Sequence, residues 1–423
     1  MAEAATRKSI EAVWRIESAR LIGALVRVVR DVGLAEDLAQ EALVTALERW
    51  PEVGIPDNPG AWLMATAKNR AIDQLRRNQM LERKHGSHGD DGSSAKAPAM
   101  PNIEAALDEE VGDDLLRLVL IACHPVLSTE ARVALTLRLL GGLATHEIAR
   151  AFLVPEPTIA QRIVRAKRTL AEARVPFEVP RGEELDARLP SVLEVIYLIF
   201  NEGYAATRGD EWMRMDLCED ALRLGRILAE LVSSHAEVHG LVALMELQSS
   251  RARARIGSSG EPILLLDQDR SRWDQLLVHR GLAALGRAEA LSRPLGPYTL
   301  QAAIAACHAQ ATRAEETDWK RIVALYDALV ELTHSPVVEL NRAVAVAMAF
   351  GPAAGLELVD ALVDEPALQS YHLLPSVRGD LLAKLGRADE ARKEFERAAL
   401  MAQNTREREL LLARAKACEA GRV

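Results

Sequence analysis

Aromatic side chains are scarce in this chain of 423 residues: Trp, Tyr and Phe together make up 4% of it. Ala, Leu, Arg and Glu dominate instead, a composition that favours helix and excludes a sandwich or barrel, whose strands draw on Val, Ile, Thr, Tyr and Phe. Cysteine is rarer still. The four present, Cys123, Cys218, Cys307 and Cys418, lie far apart, so neither a CxxC metal site nor a dense disulfide framework can be built from them. No uninterrupted apolar run approaches the roughly 18 residues of a membrane span. The amino-terminal stretch MAEAATRKSIEAVWRIE is charged and amphipathic, without the apolar core of a signal peptide. These absences predict an all-α protein working in a reducing cytoplasm, neither secreted nor membrane-inserted. What is present suffices for folding: 49% of residues are hydrophobic and 27% charged, and at about 150 residues per domain the length suggests two to four domains.

The net charge of −9 would by itself argue against nucleic-acid binding, but its distribution argues the other way. Residues 68–84 and 158–174 carry +4 each, on an acidic background. Each stretch ends a helical unit. The first unit reads as three helices. Ile10–Arg30 repeats Val13, Ile16, Leu21, Leu25 and Val28 at helical spacing; Leu34–Trp50 sets Leu34, Leu38, Leu43, Leu47 and Trp50 against an acidic face; and Gly60–Arg83 turns Trp62, Leu63, Ala67, Ala71 and Leu75 to one side. Pro51–Pro59, with three prolines, reads as loop. His85–Asn102 is rich in Gly, Ser, Pro and Asp, the composition of a flexible linker. The second unit, to about Val175, is again helical, with Ser128 as an N-cap and Gly141-Gly142 as a stop. Beyond Arg188 helices continue to the end, with a weak repeat of about 34 residues anchored at Thr317, Gly351 and Gly386, and another LGRAEAL at Leu285. That period is the tetratricopeptide length, so a helical solenoid is expected.

Thr145–Leu170 has the build of a helix-turn-helix. Ile148, Ala149 and Phe152 face inward from a short helix, Val154–Pro157 make the turn, and the second helix buries Ile159, Ile163, Ala166 and Leu170. Thr158, Gln161, Arg162, Arg165 and Arg168 project from the opposite side, where cations and a helix N-terminus can hold phosphates while Gln and Arg read base edges. The other groups that invite a chemical reading resolve into structural ones. His124, at a helix end in Cys123-His124-Pro125, suits packing or capping. Asp267, Asp269 and Asp274 lack the Gly and terminal Glu of a calcium loop and suit a helix start with ion pairs to Arg270 and Arg272. No P-loop, nucleophile elbow or HExxH occurs, so no enzymatic activity, metal or cofactor is expected.

Three segments, in order, resemble the extracytoplasmic-function (ECF) sigma factors of bacterial RNA polymerase, members of the sigma-70 family: DVGLAEDLAQEALVTALERW (Asp31–Trp50), AWLMATAKNRAIDQLRR (Ala61–Arg77) and LSTEARVALTLRLLGGLATHEIARAFLVPEPTIAQRIVRAKRTL (Leu127–Leu170). The resemblance implies sigma domain 2 over 1–84, a flexible linker over 85–103, sigma domain 4 with its helix-turn-helix over 104–176, and a helical, tetratricopeptide-like extension over 177–423. It implies core RNA polymerase and promoter DNA as partners. Asp37, Gln40 and Glu41 would dock on the polymerase. Lys68, Asn69, Arg70, Arg76 and Arg77 would meet the −10 element, with Asn69 beside a flipped base and the cations on the strand. Trp62 has two readings, a stacking platform for a base or, because it falls on the apolar face, a core residue, and the second is favoured. Thr158, Gln161, Arg162, Arg165 and Arg168 would meet the −35 element. Two departures stand there: Pro157 replaces a common Gly, which costs no hydrogen bond in a first turn, and Ala160 replaces a common basic residue, which removes a contact.

The segments IYLIFNEGYAATRGDEW (Ile196–Trp212) and SPVVELNRAVAVA (Ser335–Ala347) resemble a group within that family that carries a long helical extension. There the extension implies control of the sigma domains in cis, or else a scaffold for another protein, with a small DGPF/YCII-like protein as a candidate partner. Asn201, Glu202, Gly203 and Tyr204, read as a polar break between helices, are the expected contact. The competing reading, a helix-turn-helix regulator with a helical-repeat sensor, leaves Asp31–Trp50 and Ala61–Arg77 without a use.

Overall fold

The computed structural model describes residues 2–86, 111–152, 154–206, 209–257 and 260–419; most of the expected linker lies outside these residues. Eighteen α-helices and five short 3-10 turns account for the described secondary structure, with no strand beyond two isolated bridges. The chain divides into two compact units, Met1–Ile196 and Tyr197–Val423.

The first unit opens with α1 (Ala2–Val29), α2 (Val32–Val53) and α3 (Pro59–Gly86). The buried stripe of α1 is Ile10, Trp14, Leu21, Ile22, Leu25 and Val26. Ile16, expected on that stripe, is 65% exposed: at 100° per residue it stands on the far side from Trp14. In α2 the expected leucine seam is largely an alanine seam. Ala35, Leu38, Ala39, Ala42, Ala46 and Trp50 are buried, while Leu47 is exposed, because alanines let the neighbouring helices approach closely. α2 also runs through Pro51, which the proline count had assigned to loop; the helix ends at Gly54, whose positive φ lets its N–H reach Trp50 O.

Next come α4 (Val111–Ala122), α5 (Thr129–Leu139), α6 (Thr145–Ala151) and α7 (Glu156–Glu172). Ser128 Oγ caps α5 by accepting from Ala131 N at 3.4 Å. Ile148 and Ala149 of α6 are buried, as are Ile159, Ile163, Ala166 and Leu170 of α7, which is the helix-turn-helix packing expected; Phe152 is half-buried rather than inside. The unit also takes the front of α8 (Glu183–Tyr204). Arg188 donates to Leu120 O at 2.8 Å, Ser191 Oγ to Cys123 O at 2.6 Å, and Arg132 to Glu194 at 3.0 Å. The division between units therefore falls inside α8, later in the chain than the composition suggested.

The second unit continues through α9 (Met215–Leu231), α10 (Ala236–Ser250), α11 (Gln275–Leu291), α12 (Pro297–Gln310), α13 (Trp319–Thr333), α14 (Pro336–Phe350), α15 (Pro352–Ala361), α16 (Leu373–Lys384), α17 (Ala388–Met401) and α18 (Thr405–Glu419). From α13 onward each helix packs on its sequence neighbours, the habit of a helical-repeat array. The anchors Thr317, Gly351 and Gly386 stand at the heads of α13, α15 and α17, whereas Leu285 lies within α11 and opens nothing. Buried Asn404 donates to Ala206 O and Glu211 O, at 3.1 and 2.8 Å, tying the start of α18 to the segment after α8.

Candidate nucleic-acid interface

On α7, Gln161, Arg165 and Arg168 are exposed and Thr158 and Arg162 half-buried. They project opposite the buried Ile159, Ile163, Ala166 and Leu170 stripe. Pro157 sits in the first turn without breaking the helix. Arg168 Nε donates to Glu172 at 2.7 Å, which raises the guanidinium's proton affinity and occupies one of its donors.

On α3, Asn69, Arg76 and Arg77 are exposed and Lys68 is half-buried. Arg70 departs from expectation. Its Nη1 donates to Glu41 Oε2 at 2.5 Å and its Nη2 to Thr45 Oγ1 at 2.8 Å. Two residues assigned to different partners, Arg70 to the DNA strand and Glu41 to the polymerase, are thus paired with each other across α2 and α3. Asp37 is exposed and Gln40 half-buried.

Trp62 is also not simple core. It is half-buried, edge-on to buried Trp50 with ring centroids 5.3 Å apart, and both line a cavity of about 490 Å³ with Arg49, Ile55 and Pro56. The Trp50 indole N–H has no hydrogen-bond partner among the described residues. Trp62 and Asn69 are seven residues apart, two turns of one helix or about 10 Å, so the aromatic cavity and the exposed amide share one side of α3.

Charged ties join the helices on either side of residues 87–110. Glu36 is only 3% exposed; its Oε1 accepts from Arg138 Nε at 2.6 Å, and Lys167 Nζ lies 2.5 Å from its Oε2. Arg15 Nη2 donates to Glu147 Oε1 at 3.0 Å, and the other oxygen of Glu147 accepts from Ala144 N at 2.7 Å, opening α6. Arg27 lies 3.4 Å from buried Asp114. Pattern reading missed Glu36 and Lys167. The available signal was an acid flanking the alanine seam of α2, since a buried carboxylate needs a cation. His124 braces the turn after α4 rather than capping a helix: Nδ1 accepts from Val126 N at 3.1 Å, and burial with nearby Arg188 pushes its pKa down to about 4.

Asn201, Glu202, Gly203 and Tyr204 form the last turn of α8, not a break between helices, and they separate into two roles. Glu202 makes a buried ion pair with Arg214, and a Cβ on Gly203 would lie 2.7 Å from Cys218 N, so this pair seats α8 against α9. Tyr204 stacks on Phe200 at 5.6 Å and carries the Arg255 guanidinium 3.6 Å above its ring, while its hydroxyl accepts from Arg251. Asn201 and Tyr204 line a cavity. The expected helix start is present, with Asp269 accepting from Ser271 N and Asp274 from Leu276 N as caps. Among the described residues the expected ion pairs with Arg270 and Arg272 are not made, though after the bonds from Ser271 the charge of Arg272 adds to the lowering of the Asp269 pKa. All four cysteines are buried and free. Among the described residues, no group of three or more His, Cys, Asp or Glu is placed to hold a metal ion, and no helix is long and apolar enough to cross a membrane.

A helix-turn-helix with a basic outer face, preceded by a three-helix domain with an exposed basic helix, defines a two-part DNA-binding protein. Sigma-70 region 2 matches residues 15–80 and sigma-70 region 4 matches residues 117–170. A family of unknown function, DUF6596, matches residues 188–289. The chain is 44% identical over 390 residues to the uncharacterized protein R00370 of Rhizobium meliloti strain 1021, covering 91% of this chain and 90% of that one. It is 30% identical over 177 residues to the probable ECF RNA polymerase sigma factor SigI of Mycobacterium tuberculosis, covering 40% of this chain and 57% of that one. It is 29% identical over 155 residues to the ECF RNA polymerase sigma factor SigK of Mycobacterium ulcerans, covering 36% and 78%. The chain belongs to the ECF group of the sigma-70 family, with a helical C-terminal extension, and its sigma-70 regions imply core RNA polymerase and promoter DNA as partners.

Proposed function

We propose that this protein directs core RNA polymerase to promoters by reading a −10 element with α3 and a −35 element with α7, under the control of its helical extension. The observation that carries the reading is the pairing in one chain of an exposed basic helix-turn-helix face (Gln161, Arg165) with a second exposed basic helix (Asn69, Arg76, Arg77) beside the Trp50–Trp62 cavity. Gln161 and Arg165 stand where base edges would be read, and Thr158, Arg162 and Arg168 where phosphates would be held. An unstacked base has an aromatic wall to lie on at Trp62 and an amide at Asn69, while Lys68, Arg76 and Arg77 hold the strand. Asp37, Gln40 and the Glu41–Arg70 pair offer polymerase a charged, partly wet surface. Arg70 then supports Glu41 instead of touching DNA.

Elements read two helical turns apart are separated by roughly 70 Å of duplex, whereas Lys167 of the reading helix α7 lies beside Glu36 of α2. The clasped form is therefore the unengaged one, and promoter binding requires the clasp to open. Control by the extension is supported by the sharing of α8, whose front half is bonded to α4 and α5 and whose end builds the second unit. None of the relatives named above is a small DGPF/YCII-like protein.

The test is transcription by core polymerase on fragmented genomic DNA, with and without the protein, mapping RNA 5′ ends. Starts that need the protein and share two upstream motifs are expected. Tight duplex binding without polymerase, and no new starts, would move the assignment to a conventional regulator. Removing the extension is expected to change transcript yield without changing the motifs.

A further inference from the structure

We propose that the second unit holds a binding site for a small ring-bearing carboxylate, in the cavity of about 280 Å³ between the end of α8, α10 and α12. The inference concerns binding alone and goes beyond the transcription reading.

The chemistry of the walls points to an anion. No Asp or Glu lines the cavity, whereas Arg251 does. Arg251 forms no ion pair among the described residues: its Nη2 donates to Tyr204 Oη and Gln248 Oε1, both neutral, and Nη1 and Nε have no partner there. Two further arginines stand behind the wall, Arg255 with no carboxylate acting on it and Arg270 with Glu315 and Glu316 near it. Arg255, only 8% exposed, donates to Tyr204 O and lies on the Tyr204 ring; Arg270 donates to His308 O at 2.7 Å, Ala311 O at 2.6 Å and Thr317 Oγ1 at 3.0 Å. The buried acids nearby are already taken, Glu202 by Arg214 and Glu246 by Arg226. Burial lowers the proton affinity of Arg255, which has no carboxylate acting on it, and of Arg270, where Glu315 and Glu316 offset it only in part. The Arg251 guanidinium in the wall, with Arg255 behind it, makes a positive field that an anion relieves, and a carboxylate is the planar partner that a guanidinium meets with two bonds.

The remaining walls specify the body of the ligand. Tyr197, Phe200, Tyr326 and Ile304 offer ring faces and apolar surface, while Asn201, Gln301 and Asn341 offer amides for a hydroxyl or a second oxygen. His308 is 8% exposed and neutral, its pKa pushed down to about 4 by burial and by Arg251 and Arg270, so it adds no competing charge. At roughly 30 Å³ per displaced water, the cavity takes a body of single-ring size. A bare inorganic anion would leave the apolar wall uncovered.

The test uses the full chain, with thermal unfolding and tryptophan fluorescence as readouts; Trp273 lies 5.8 Å from the Arg251 guanidinium and Trp319 packs edge-on to His308. Benzoate and 4-hydroxybenzoate are the probes, benzamide the neutral isostere and inorganic phosphate the alternative anion. The expected result is a saturable rise in unfolding temperature and a fluorescence change with the carboxylates only. In Arg251→Gln the dissociation constant should rise about tenfold or more. Because Arg251 also braces Tyr204, Asn341→Leu on another wall serves as a second variant, with helicity checked by circular dichroism; it should weaken 4-hydroxybenzoate more than benzoate. No saturable response to either carboxylate would overturn the proposal. So would equal responses to benzamide or phosphate, or unchanged binding in both variants.

Discussion

At the scale of single residues, exposure separates reading positions from bracing ones. Gln161 and Arg165 are exposed on the same outer face of α7, so alanine there should cost about 1–3 kcal/mol of discrimination at one −35 base pair each, measured by transcription from promoter variants. Arg77→Ala, by contrast, should weaken promoter opening across sequences and reduce the dependence of binding on log salt by about one unit. Glu41 and Arg70 are a pair. Each single charge reversal should impair polymerase binding, and the double reversal should recover the α2–α3 contact without recovering the polymerase surface, read by competition for core enzyme. His308, the more deeply buried of the two histidines whose pKa is pushed down to about 4, carries the larger part of the pH dependence, and His124 adds to it. The folded pKa of His308, about 4, lies below the usual 6.5, so the unfolded chain takes up the proton first. Stability is full above about pH 6.5 and falls as the pH drops toward 4, by on the order of 3 kcal/mol. Denaturant midpoints at pH 7.5, 6 and 5 should show the loss, and His308→Gln should reduce it, leaving the part that His124 contributes.

At the scale of elements, periodicity located the helices well and misjudged which residues seal them. The three-helix pattern of the first domain and the buried stripe of α7 were legible because each repeats every three or four residues. The alanine seam of α2 was not, since alanine weighs little in a pattern yet permits the closest packing. Pro51 misled for a related reason: a proline in a last turn removes one donor and need not stop a helix. The last turn of α8 looked polar and was read as a break; Glu202 is instead neutralised by Arg214, and Gly203 is required by the approach of α9. Gly203→Ala should therefore destabilise the second unit by about 1–3 kcal/mol. A shift in the denaturant midpoint of the full chain would show it, and an unchanged midpoint would count against this packing account.

At the scale of the whole molecule, the charged ties within the first unit join α2 to α7, and on the proposed function they must open before α7 can reach a promoter. Glu36 is the centre of that clasp, and removing its charge leaves Arg138 and Lys167 without compensation, a change that costs about 3–5 kcal/mol when a buried pair loses one partner. Glu36→Gln should therefore speed hydrogen exchange in α7 and α2 and raise duplex binding by the free protein; protection unchanged from the native chain would mean that the clasp does not hold them. The amino-acid sequence by itself determined the helical class, the presence of two basic helices and the family, because composition, periodicity and motif order are local properties. Only the tertiary structure decided that Arg70 faces Glu41, that Lys167 faces Glu36, that Trp62 opens onto a cavity, and that Arg251 lines another with no acid in its wall. Each of these is a matter of which charge or ring lies opposite, across tens or hundreds of residues of chain, and that is settled by how the helices pack.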